Sequence, residues 1–112
     1  MKEEILVGLK NLNAVTFEEI IYDNCENCLV VFYRKNCYVC EEVVPMVEEI
    51  AEKYKDKMGF YRVDVEEERD LYSRFSLRGV PQLLFFKNGE YMGKLAGKLE
   101  EDQLEEKIEE ML

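Results

Sequence analysis

Cys37 and Cys40 stand at the seam between an apolar run and a helical pattern, and that seam restricts the fold more than any other feature of the chain. Val30-Val31-Phe32-Tyr33 is β-branched and aromatic, which reads as a buried strand. Arg34-Lys35-Asn36 breaks the run and Cys37-Tyr38-Val39-Cys40 follows. Val43, Val44, Val47, Ile50, Ala51 and Tyr54 then recur at intervals of three and four, the pattern of an amphipathic helix. A strand thus delivers two thiols to a helix start, where unpaired N–H groups and the macrodipole favour negative charge. A thiol with a pKa near ~8.5 is about 3% ionised at pH 7, and lowering it by one unit raises that to about 24%. Glu41 and Glu42 crowd the same turn and oppose the shift, so a modest depression of the Cys37 pKa is expected. Cys40, one turn further in, is expected beneath Cys37 and more buried. Cys37 is then the attacking thiol and Cys40 the resolving one.

The remaining elements follow in order. Glu3 to Leu12 fits a helix through Ile5, Leu6, Leu9 and Leu12, or a first strand within Leu6 to Ala14. Thr16 reads as an N-cap with Glu19 completing a capping box, and Phe17, Ile20 and Ile21 as the apolar face of a short helix. Residues 23–27 read as a polar loop. After the long helix, Met58 to Val65 reads as a strand with Phe60 and Val63 or Val65 packed inward, and Glu66 to Phe75 as a short helix. Leu83 to Phe86 reads as a further strand. Asn88-Gly89 predicts a tight hairpin turn, because both central positions want φ > 0. Glu90 to Ala96 returns antiparallel, and Glu100 to Leu112 closes as a helix with Leu104, Ile108 and Leu112 on one side. The order is α/β, and 1–112 reads as one domain without a linker or repeat.

Several function classes are excluded early. The net charge is −10, which argues against nucleic acid and anionic membrane as partners. No apolar stretch approaches the ~20 residues of a membrane span. Ile5-Leu6-Val7, flanked by Glu3, Glu4 and Lys10, does not read as a signal peptide, so a cytoplasmic location is expected. The chain has no histidine, which removes Cys–His nucleophilic pairs and the usual histidine-containing zinc sites.

Cys37-x-x-Cys40 between strand and helix, Pro45 inside that helix, Gly79-Val80-Pro81 ahead of a strand and Phe86-Lys87-Asn88-Gly89-Glu90 at the hairpin together resemble the thioredoxin family. The resemblance covers about Leu12 to Leu112. It implies a thioredoxin fold: a central mixed β-sheet of four to five strands flanked by helices on both faces. It also implies a helix kinked at Pro45 and a cis Val80–Pro81 bond facing the cysteines and blocking metal there. The Val80 backbone would pair with an extended substrate peptide, and Tyr38, Val39, Val80 and Pro81 would form the substrate-binding surface. The chain also departs from the family. Asn36 stands where the family usually has tryptophan, and Tyr38-Val39 where it has Gly-Pro. Val31 replaces a buried aspartate that relays a proton to the resolving thiol, and Phe60 the lysine beside it.

Cys25-Glu26-Asn27-Cys28 is a second Cys-x-x-Cys. A zinc ion bound by all four thiols needs Zn–S bonds of ~2.3 Å and sulfurs within about 4 Å of one another. A strand over 29–34 would hold the pairs roughly 20 Å apart at ~3.3 Å per residue, so no metal site is expected. Cys25 and Cys28 then read as inert thiols, a local disulfide, or a secondary redox pair.

The leading expectation is a monomeric thiol–disulfide oxidoreductase that reduces protein disulfides. It would need no cofactor beyond its redox-active disulfide and, by resemblance, would draw electrons from a thioredoxin-reductase-like donor. The alternatives are a thioredoxin-fold binding or adaptor module with little redox activity, and a four-cysteine metal-binding protein.

Overall fold

The computed structural model describes residues 8–112. Ile5 and Leu6, and with them half of the proposed first helix, lie outside the described residues. The element order is β1 (Lys10–Asn11), α1 (Ala14–Glu18), β2 (Cys28–Tyr33), α2 (Tyr38–Tyr54), β3 (Gly59–Asp64), α3 (Arg69–Arg74), β4 (Gln82–Lys87), β5 (Glu90–Ala96) and α4 (Glu101–Met111). The strands form one mixed five-stranded sheet in the order β1-β3-β2-β4-β5. β1, β3 and β2 run parallel, and β4 and β5 are antiparallel additions. This is the thioredoxin fold expected from the sequence.

Both faces of the sheet are covered, which is why β2 and β4 are nearly continuous apolar runs rather than alternating ones. Leu29, Val31, Phe60, Leu83 and Phe85 face α2 and α4, whose Val43, Val47, Leu104 and Ile108 complete that core. Cys28, Val30, Phe32, Val63, Leu84 and Phe86 face the other way, onto Phe17, Ile21 and Leu71 from the α1 and α3 side. Phe17 meets Phe86 and Phe75 edge-on at 5.6 and 5.7 Å between centroids, the geometry the ring quadrupoles prefer. The alternation also resolves the β3 ambiguity: Phe60 packs on one face and both Val63 and Val65 on the other.

One ambiguity of the sequence is resolved and two of its expectations need correction. Of the two readings of the first segment, the strand within Leu6 to Ala14 is the one found, as β1; buried Leu9 and Leu12 belong to opposite cores, which one helical face could not serve. The N-cap of α1 is Asn13, not Thr16. The Asn13 side chain accepts from the Thr16 N–H at 2.9 Å while Thr16 Oγ1 accepts from the Asn13 N–H at 2.9 Å, a capping box begun three residues earlier than the sequence suggests. α1 then continues through a π-turn over Glu19–Asp23, closed by Asn24 N–H donating to Glu19 O at 2.8 Å. Finally, Met111 rather than Leu112 completes the buried side of α4; Leu112 follows the last helical residue and is exposed. The hairpin is as the sequence predicts, with φ of 54° at Asn88 and 81° at Gly89.

Candidate active site

β2 ends at Tyr33 between two neighbouring strands, and the chain must leave the sheet there to begin α2. Asn36, at φ 58°, makes the turn; asparagine tolerates the left-handed region better than most residues. Cys37 is the N-cap of α2, and its Sγ accepts the Cys40 N–H at 3.2 Å. The sulfur therefore occupies the place a serine or aspartate oxygen takes at an ordinary helix start. Cys37 and Cys40 are joined as a disulfide, with Cα atoms 5.2 Å apart. After reduction the same N–H would meet a Cys37 thiolate. Cys37 is 7% exposed and Cys40 3%. The order matches the expectation that Cys40 lies deeper, and Cys37 is itself largely enclosed, with the loop before β4 lying against it.

That loop is Gly79-Val80-Pro81. The Val80–Pro81 bond is cis, and the Val80 carbonyl oxygen lies 4.0 Å from Cys37 Sγ. Gly79, at φ 105°, takes a conformation closed to most side chains. The Gly79 N–H donates to the Tyr72 hydroxyl of α3 at 2.6 Å, and Gln82 Nε2 donates to the Gly79 carbonyl at 2.8 Å. The loop opposite the sulfurs is thus held from a helix on one side and a strand on the other. Around the pair, Tyr38 is exposed, Val39 and Val80 are half-buried and Pro81 is buried. The structure brings all four of these residues to the neighbourhood of the disulfide as two segments, one on each side of it.

Cys25 and Cys28 are not part of this site. Cys28 begins β2, and the whole strand lies between it and Cys37. Both thiols are free: Cys25 is exposed, its Sγ donating to the Tyr22 carbonyl at 3.6 Å, and Cys28 is buried. Burial, with the nearby Glu26 carboxylate, pushes the Cys28 thiol up to about 12. Among the described residues no group of three or more cysteine, histidine or acidic side chains is placed to hold a metal ion.

Sequence reasoning missed a cleft of about 440 Å³ beside Cys40, which runs along the start of α2. Tyr33 and Arg62 line it together with Cys40, and the Arg62 guanidinium lies over the Tyr33 ring, 5.3 Å from its centroid. Burial raises the Tyr33 phenol above its ordinary pKa, and the Arg62 charge opposes that rise. No sequence signal marks Arg62. Its place follows from the β3 register, which sets it opposite Val31.

Comparison with known proteins agrees with this geometry. The thioredoxin family profile matches residues 8–110. The chain is 26% identical to the M-type chloroplastic thioredoxin of Spinacia oleracea over 97% of its own length and 60% of the relative's. It is 31% identical to the thioredoxin of Buchnera aphidicola over 80% of its own length and 83% of the relative's. Against the first plant relatives, the chain spans about three fifths of their length, from 59% to 63%. The crystal structure of Malassezia sympodialis thioredoxin superposes with a TM-score of 0.84 at 24% identity, covering 93% of this chain and 90% of that one.

Proposed function

The chain belongs to the thioredoxin family, and from that membership we propose that it is a thiol–disulfide oxidoreductase acting through Cys37 and Cys40. One observation carries the reading: a disulfide at a helix mouth whose outer sulfur accepts a backbone N–H and faces a proline loop. Cys37, as the thiolate, attacks one sulfur of a substrate disulfide, and the electron pair of that bond leaves with the other sulfur. Cys40 then loses its proton and attacks Cys37 Sγ, releasing the second substrate thiolate and closing the Cys37–Cys40 disulfide. Two electrons pass from the dithiol to the substrate, and the pair itself carries them without a bound cofactor.

The Val80 backbone precedes β4, whose first residue is Gln82, and so lies outside the ladder, available to an extended substrate segment. Tyr38 and Val39 would meet the same segment from the helix side, with Pro81 packed behind it. We place the protein in a reducing compartment, the cytoplasm, with a reductase of the thioredoxin-reductase kind as donor; the two free thiols agree with that setting. No described helix is long and apolar enough to cross a membrane.

Reduction of insulin disulfides under dithiothreitol, followed by turbidity, tests the reading. The chain should shorten the lag markedly and Cys37→Ser should remove the effect. An inactive parent, or a Cys37→Ser variant as active as the parent, would overturn it.

A further inference from the structure

Resolution requires Cys40 to become a thiolate, yet Cys40 is the deeper of the two sulfurs at 3% exposure, and burial opposes that charge. Val31, on the face of β2 that packs under α2, is fully buried and carries no ionisable group. Beside the pair, Arg62 lines the same cleft as Cys40. Arg62 Nε is buried and has no hydrogen-bond partner within the protein. A guanidinium N–H left so is costly unless a water or an anion meets it. The Tyr33 ring beneath it holds the group in place at the cleft wall.

We propose that Arg62 is a positioning residue for the resolving step, favouring from the cleft wall the negative charge that forms on Cys40 Sγ. The inference rests on the dithiol reading above and deepens it. In this step the Cys40 thiol gives its proton to water in the cleft. A bond forms between Cys40 Sγ and Cys37 Sγ, the bond from Cys37 to the substrate sulfur breaks, and the electron pair leaves with the substrate thiolate. Arg62 bonds to none of these atoms and acts through its field, which is screened less in a partly enclosed cleft than in bulk water.

The other charges facing the cleft are Arg34 and Lys35 from the loop after β2, and Glu41 and Glu48 from α2. Arg34, Lys35 and Glu41 are exposed and well screened, whereas Arg62 and Glu48 are half-buried. Asp64, 4% exposed on β3 and opposite Tyr33, adds a buried carboxylate that Lys35 approaches at 4.0 Å, so Arg62 on one side and Glu48 and Asp64 on the other set the balance.

The test uses the reduced full chain carrying Cys25→Ser, which removes the exposed third thiol, and 5,5′-dithiobis(2-nitrobenzoate) as substrate. One thionitrobenzoate is released when Cys37 attacks and a second when Cys40 resolves. In Arg62→Gln the second phase should slow about threefold to tenfold at pH 7 and its pH midpoint should rise, with the first phase unchanged. Arg62→Lys should behave as the parent, and Glu48→Gln should lower the midpoint. An unmoved midpoint in Arg62→Gln overturns the proposal. So does equal slowing in the glutamine and lysine variants, which a purely structural role would give, or a raised midpoint in Glu48→Gln. A parent that shows no second phase at all overturns the dithiol reading itself.

Discussion

Two cysteines in this chain show how far placement governs thiol chemistry. Cys37 caps a helix and receives an N–H at 3.2 Å, while Cys28 is enclosed in the core with its thiol pushed up to about 12. The second case has a pH consequence. The folded protein keeps the Cys28 proton up to about 12, whereas the unfolded chain loses it near the ordinary thiol value of 9.0. As pH rises through 9 the unfolded state binds fewer protons, so stability falls, with a slope that approaches about 1.4 kcal/mol per pH unit from this one site. Above pH 10 Tyr54 and Tyr61 add to the fall, since both phenols are raised, Tyr54 first by its hydrogen bond to Glu109 and Tyr61 first by burial. Urea denaturation at pH 8, 9 and 10 under reductant should show a shallower decline between 9 and 10 for Cys28→Ala than for the parent. Parallel declines would contradict the assignment. At this scale the sequence exposed Cys37 and Cys40, because a strand–helix seam is a local pattern. It hid Arg62, since a charged residue in a strand reads as surface until the register places it opposite Val31 under a helix. It also hid Gln82 and Tyr72, whose task is to hold the Gly79 backbone across the fold.

α2 presents the sulfurs, and its seating on the sheet depends on α4. Leu104 and Ile108 are fully buried against the same core as Val43 and Val47. At the rim the Tyr54 hydroxyl donates to Glu109 at 2.8 Å with a Glu105 carboxylate oxygen also 3.1 Å away, and Lys53 Nζ meets Glu105 at 2.7 Å. The exposed part of this contact contributes little, and the apolar part most. Leu104→Ala should therefore cost about 2–5 kcal/mol in chemical denaturation. A loss below about 1 kcal/mol would show that α4 is not seated as described. Asn13→Ala should cost about 1 kcal/mol by removing the α1 cap, and Thr16→Ala a similar amount because the box is reciprocal. Elements were largely legible in the sequence, since the helical spacing of α2 and the Asn88-Gly89 turn are strong local signals. Their ends were less so: Asn13 and Thr16 are both good caps, and only the observed bonds decide between them. α2 runs through Pro45, which offers no N–H to the Glu41 carbonyl; Pro45 and Glu41 are both exposed, so water can take that place.

Taken whole, the molecule carries a net charge of −10 on a body of 32 × 31 × 29 Å, so its carboxylates repel one another at close range. Raising salt from about 10 mM to about 150 mM shortens the Debye length from roughly 30 to 8 Å and should raise the thermal midpoint by about 2–5 °C. A falling midpoint would mean that the ion pairs Lys53–Glu105 and Arg74–Glu18 outweigh that repulsion. The fold class was legible from the alternation of strand and helix patterns together with the proline and hairpin signals. The sheet order was not, because β3 inserts between β1 and β2 through contacts far apart in sequence. The central claim is that Cys37 is the attacking sulfur and Cys40 the one that releases the substrate, and trapping tests it most directly. Reduced Cys40→Ser chain is mixed with a disulfide-bonded peptide and mapped by mass spectrometry without reductant. A mixed disulfide on Cys37, stable in this variant and absent from the parent, which should instead end with its own Cys37–Cys40 bond, is the predicted result. An adduct on Cys25 alone, or none on Cys37, would contradict the account.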